Sequence, residues 1–85
     1  MRVIVELYAA ARQQAGTSEL TLEFAPLEAG SLTLADVRFA LLDRLPQLAS
    51  LIAGSRLALN AAFAEDSVRV ELGDRVALIL PVSGG

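Results

Sequence analysis

Arg2-Val3-Ile4-Val5-Glu6-Leu7-Tyr8 alternates without a break, with Val3, Val5 and Leu7 on one side and Arg2, Ile4, Glu6 and Tyr8 on the other. A period of two marks a strand with one buried face, so the first set predicts the core side. Ala9 to Ala15 is made of good helix formers and runs into Gly16, which suits a left-handed cap; a short helix is expected there. Thr17-Ser18 then turns the chain. Glu19 to Phe24 alternates again and brings Leu20, Leu22 and Phe24 together, as a second strand antiparallel to the first would.

Outward from this opening unit, Pro26 to Ser31 reads as a loop, and Thr33 followed by Asp36 has the spacing of a capping box. The helix it opens carries Leu34, Val37, Leu41, Leu42 and Leu45 in one stripe, with Asp36 and Asp43 opposite, and Pro46 ends it. Gln47 to Ile52 predicts one more helical turn before Gly54. Arg56 to Asn60 reads as a strand with Leu57 and Leu59 inward, and Asn60-Ala61-Ala62 as a tight connection to a short edge segment around Phe63. The alternation then blurs until Gly73-Asp74 supplies a turn into a last strand, Arg75 to Leu80, with Val76, Leu78 and Leu80 on one face. Strand, strand, helix, strands is an α+β order. One main helix packed on a mixed sheet of four to five strands satisfies it.

Composition narrows what such a domain can do. Eighty-five residues make one domain, and with neither Cys nor His it is held together without disulfides or thiolate and imidazole metal ligands. The same absences remove the usual nucleophile and near-neutral base, and the lack of Lys excludes a phosphate-binding Walker loop and any side-chain amine as an isopeptide acceptor. Glu65-Asp66 and Asp74 could form a carboxylate pair or cation site, but clustered acids in turns are ordinarily solvated; no metal is expected. Seven Arg are scattered among ten acids, for a net charge of -3, which argues against a nucleic-acid partner. The longest apolar run, Val76 to Val82, falls far short of the roughly 20 residues that cross a bilayer. Met1-Arg2-Val3 enters a strand at once with no signal-like region, so no membrane association and a cytoplasmic location are expected. An apolar content of 54% needs an outlet beyond the core of so small a domain, and a protein-protein face supplies one.

The end of the sequence offers the reactive group that the side chains do not. Residues 1–81 read as the domain and 82–85 as a tail, reaching about 13 Å from the sheet at roughly 3.3 Å per residue. Gly84 and Gly85 strip that tail of side-chain bulk, which leaves two readings: a frayed terminus, or a carboxylate able to enter a narrow pocket on a partner and be activated there as an acyl group.

Leu72-Gly73-Asp74-Arg75-Val76-Ala77-Leu78-Ile79-Leu80-Pro81-Val82-Ser83-Gly84-Gly85 resembles the ending of the molybdopterin synthase small subunit, a family of ubiquitin-like β-grasp proteins. Val5-Glu6-Leu7-Tyr8-Ala9-Ala10-Ala11-Arg12 running to Gly16, the helix from Thr33, and Leu57-Ala58-Leu59-Asn60 follow that family's order over nearly the whole chain. Leu80 stands where the family often has the first of two prolines, and Ala25 to Leu32 is slightly long. The resemblance implies a non-catalytic sulfur carrier. Its Gly85 would be adenylated by a ubiquitin-activating-like adenylyltransferase that consumes ATP, converted to a thiocarboxylate with sulfur from a sulfurtransferase, and used to sulfurate a pterin precursor in molybdenum cofactor biosynthesis. Pro81, Val82, Ser83 and Gly84 would then be the segment entering the pocket of the synthase large subunit, where the active site is expected, in a heterotetramer. The chain itself would bind no cofactor. Carriers for thiazole or cysteine synthesis share the fold and the Gly-Gly end, and a ubiquitin-like protein modifier or a plain interaction domain is the reading from a different class.

Alternation also predicts where partners would sit. If Val3, Val5, Leu7, Val76, Leu78 and Leu80 face the helix, Ile4, Tyr8, Ala77 and Ile79 point the other way. In a β-grasp arrangement the first and last strands are neighbours, so these residues, joined by Phe63, would form an apolar patch near the root of the tail. Either partners cover it, or a loop or the short helix does.

Overall fold

The computed structural model describes residues 1–25 and 31–80. Strand β1 (Arg2–Leu7) leads through helix α1 (Ala9–Ala15) into β2 (Glu19–Glu23); helix α2 (Leu34–Arg44) follows, then a 3-10 turn (Pro46–Leu48) and a short α3 (Ala49–Ala53), and three strands complete the chain, β3 (Arg56–Leu59), β4 (Ala62–Ala64) and β5 (Arg75–Ile79). The five strands form one sheet in the order β2-β1-β5-β3-β4. β1 runs antiparallel to β2 and parallel to β5, and β3 runs antiparallel to both β5 and β4. The sheet is therefore mixed, and its last strand in sequence occupies its middle. This is the predicted β-grasp architecture with five strands.

The elements form where their residues dictate. α1 ends as expected on Gly16, at φ 76°, whose N–H donates to the Arg12 carbonyl. β1 stops one residue earlier than the alternation suggested, because Ala9 takes a left-handed φ of 50° and swings the chain into α1, leaving Tyr8 as the extended residue before the helix. Thr33 opens α2 with its capping box: its backbone N–H donates to the Asp36 carboxylate at 3.0 Å, and its hydroxyl does so at 3.2 Å. Asn60 and Ala61, at φ 51° and 71°, are the two central residues of the β3–β4 hairpin, the left-handed pair that a two-residue connection needs.

The core lies between α2 and one face of the sheet. Val3, Val5 and Leu7 of β1, Leu57 of β3, and Val76 and Leu78 of β5 meet Leu34, Val37 and Leu41 of α2, all essentially inaccessible. Leu20, Phe24, Leu42, Leu59 and Leu80 pack at its margin. The stretch where alternation blurs turns out to have its own work. The carbonyls of Asp66 and Val68 accept hydrogen bonds from the N–H groups of Ala35 and Leu34 at 2.9 and 3.0 Å, which satisfies donors that the first turn of a helix leaves open, and Val70 is buried beneath. Arg38 fastens the same region from α2. Its guanidinium donates to both oxygens of Asp66, at 2.8 and 2.9 Å, and to the carbonyls of Ile52 and Ser55. Among the described residues no helix is long and apolar enough to cross a membrane.

Candidate functional site

The alternate residues of the same strands make the other face of the sheet. The registers Glu6↔Ala77, Ala77↔Ala58 and Ala58↔Phe63 set one row across β1, β5, β3 and β4, and Ile79 pairs with Arg56 in the next row. The floor of this row is small because Ala58 and Ala77 end at Cβ. Taller side chains stand around them, so an open concavity of about 410 Å³ results, lined by Tyr8, Phe63 and Ile79 on its apolar parts and by Glu6, Asn60, Ala61 and Arg75 elsewhere. Tyr8 is 48% and Phe63 54% exposed, large values for aromatic side chains on a sheet, and among the described residues neither a loop nor α1 covers them.

Four of the five residues assigned to a partner face from alternation, Tyr8, Phe63, Ala77 and Ile79, thus line one concavity. Ile4 shares their side of the sheet but lies outside it, in the row between Thr21 and Arg75. Gly85 and the tail residues Pro81, Val82, Ser83 and Gly84 lie outside the described residues, so only their root, β5 and Leu80, is placed.

A charged cluster borders the concavity. Arg75 donates from Nη2 to Glu6 at 2.9 Å and to Glu19 at 2.9 Å, with Nε adding a 3.3 Å contact to Glu6, while the Tyr8 hydroxyl donates to the second oxygen of Glu6 at 3.1 Å. The hydrogen bonds from Arg75 and then from Tyr8 hold the Glu6 carboxyl below the usual carboxylate range, and the same carboxylate raises Tyr8 and Arg75. On the opposite side, the Arg56 guanidinium lies 3.8 Å from the centre of the Phe63 ring. Glu6 and Arg75 belong to the face by the same alternation that assigned Ile79. A patch sought among apolar residues alone leaves them out, along with Ala58, Asn60 and Ala61.

The turn into β5 is tied to this site. Asn60 donates from Nδ2 to Asp74 at 3.0 Å and accepts from the Arg75 backbone N–H at 3.0 Å, and Asp74 accepts from the Glu71 N–H at 2.7 Å, so that hydrogen bonding lowers the Asp74 carboxyl. Gly73, at φ 90°, makes the turn possible. Asp66 and Asp74, considered above as a cation site with Glu65, are both engaged in this structural bonding. Among the described residues no group of His, Cys, Asp and Glu could hold a metal ion.

The ThiS family model matches residues 5–85. The chain belongs to the ThiS family. Its fold is accordingly that of a ubiquitin-like β-grasp sulfur carrier. This ThiS-family chain is similar in structure to SAMP1 from Haloferax volcanii, at 24% identity over 100% of both chains with a TM-score of 0.81. It is also similar to the small archaeal modifier protein 1 of Methanosarcina acetivorans, at 25% identity over 99% of this chain and 96% of that one with a TM-score of 0.77. A third similarity is to the complex of subunits 1 and 2 of the molybdopterin-converting factor from Helicobacter pylori, at 21% identity over 100% of both chains with a TM-score of 0.68. No curated protein matches.

Proposed function

We propose that this chain is the sulfur-carrying small subunit of a molybdopterin synthase, working in the cytoplasm as a β-grasp domain of residues 1–81 with a Gly-Gly tail, 82–85. The observation that carries the reading is the family match running through Gly85 from a fold whose central strand, β5, leads directly into that tail. Gly85 is the acyl group. Its carboxylate attacks the α-phosphorus of ATP on the adenylyltransferase, pyrophosphate leaves, and a sulfide equivalent supplied by the sulfurtransferase then displaces AMP to give the thiocarboxylate. Pro81, Val82, Ser83 and Gly84 carry that end into the large subunit, where a pterin precursor takes the sulfur. The open face docks first, with Tyr8, Phe63, Ala77 and Ile79 at its centre and Ile4 at its edge. The Helicobacter pylori complex of a subunit 1 with a subunit 2 supports a large-subunit partner of this kind.

The test is the intact mass of the chain after incubation with the adenylyltransferase, ATP and a sulfur donor. Replacement of one terminal oxygen by sulfur is expected in the full chain. Deleting Gly85 should abolish it while leaving the thermal midpoint nearly unchanged, since a terminal tail adds little packing. A terminus that stays a plain carboxylate under these conditions would overturn the proposal.

The likeness to the archaeal modifier proteins favours a second reading, attachment of the same terminus to amines of other proteins. Adducts on target lysines, in place of sulfur transfer to the pterin, would select it. Carriers for thiazole or cysteine synthesis differ only in the acceptor, so sulfur transfer with the large subunit and pterin precursor present distinguishes them.

A further inference from the structure

The Arg75 cluster sits where a purely apolar docking face has no use for it. Exposed ion pairs of this kind contribute little to folding, and Arg75 and Glu19 are half exposed, so stability does not account for placing three charges beside Ala77 and Tyr8. Two carboxylates share one guanidinium, which leaves one negative charge in excess at the β1–β2 side of the concavity. On the β3–β4 side Arg56 lies over Phe63. A partner that covered the face with apolar groups alone would strip water from that excess carboxylate and offer nothing in return, whereas an acidic partner would be repelled.

Building on the docking reading above, we infer that this face selects its partner by charge as well as shape. A bulky apolar side chain of the partner seats over Ala58 and Ala77 between Tyr8, Phe63 and Ile79, and a basic side chain next to it meets Glu6 and Glu19. The excess negative charge at the β1–β2 side, with Arg56 across the concavity, gives the docked partner one orientation. Tyr8 serves both parts, its ring walling the concavity and its hydroxyl fixing the Glu6 carboxylate.

Calorimetric titration of the full chain with the synthase large subunit of the same organism, at low and at raised salt, tests this. The double variant Glu6→Gln/Glu19→Gln should bind about fivefold more weakly at low salt and lose most of its salt dependence, since charges at the rim of an interface act chiefly through long-range attraction. Arg75→Gln, which enlarges the negative excess, should bind more tightly than the parent at low salt. Glu19→Gln alone keeps the Glu6–Arg75 pair and should show about a twofold loss, so it carries the test if the double variant unfolds on heating. Unchanged or tighter binding by the Glu variants, while Ile79→Glu abolishes binding, would overturn charge selection and leave docking standing. If Ile79→Glu also binds like the parent, the docking reading fails, and this inference fails with it.

Discussion

Neighbouring residues of β5 live in opposite surroundings: Val76 and Leu78 are sealed under α2, while Arg75, Ala77 and Ile79 look out from the other side of the same five-residue strand. β1 repeats the contrast with Val3, Val5 and Leu7 inside and Ile4 and Glu6 outside. One backbone thus serves two purposes at a period of two. The core packing lies on one face, and the other is left open. The difference teaches that in so thin a domain the open surface is the reverse of the core, so a change that spoils one need not touch the other.

The sharpest way to break the comparison is to make the same truncation on either side. Leu78→Ala should cost about 3–4 kcal/mol, because Leu78 is wholly enclosed and the gap cannot collapse. In a domain of this size that lowers the thermal midpoint by more than about 10 °C. Ile79→Ala, one residue on, should cost less than about 1.5 kcal/mol, since part of that side chain already meets water. Equal losses in chemical denaturation would show that the open face is structural after all.

Arg38→Met probes the helix side without approaching the concavity. It removes the side-chain donor from the carbonyls of Ile52 and Ser55, the first of which keeps the Ser55 N–H, and leaves Asp66 without its cation, at an expected cost of about 2 kcal/mol by the same denaturation. Its pH dependence has a definite sign. Hydrogen bonding from Arg38 lowers the Asp66 carboxyl in the fold, so this contribution is whole above the ordinary Asp value of about 3.9 and disappears as pH falls through the lowered one. The gap between parent and Arg38→Met should therefore narrow below about pH 4. A gap that held constant into acid would assign the loss to packing.

Smallest is the effect of Ala61→Gly at the hairpin bordering the open face. Ala61 holds φ 71° at a cost that glycine avoids, and relief of that strain exceeds the extra freedom glycine has when unfolded, for a net gain of about 0.5 kcal/mol. A loss of stability would mean that the Ala61 methyl packs in a way the concavity does not suggest.

Much of this was legible in the residues. Alternation in Arg2–Tyr8 and Arg75–Leu80 gives both faces, Gly16 and Thr33 with Asp36 give the helix boundaries, and Asn60-Ala61 gives the hairpin. What stayed hidden has a common cause in contacts that carry no period. The segment from Asp66 to Val70 has no alternation because its carbonyls serve the start of α2 and only Val70 is sunk in the core, a matter of backbone hydrogen bonding that side-chain pattern does not encode. Alternation groups Ile4 with the apolar patch because it fixes a side of the sheet and not a row. The registers Ile4↔Arg75 and Glu6↔Ala77 move it away and bring Glu6 to the border. The grouping of Glu6, Glu19 and Arg75 likewise depends on three strands lying in the order β2-β1-β5.

That order bears on how the protein comes into being. Glu6 and Arg75 touch across 69 residues of sequence, and β5 bridges two pieces, β1 with β2 and β3 with β4, that otherwise have no strand pairing between them. A chain emerging from the ribosome can form the local β1–α1–β2 unit early, but its sheet has no middle until β5 is made, and contacts this distant are the slow ones to close. Folding is therefore withheld until the strand that leads to the C-terminal residues has been synthesised, and a domain that has reached its native state already holds β5 in the middle of its sheet.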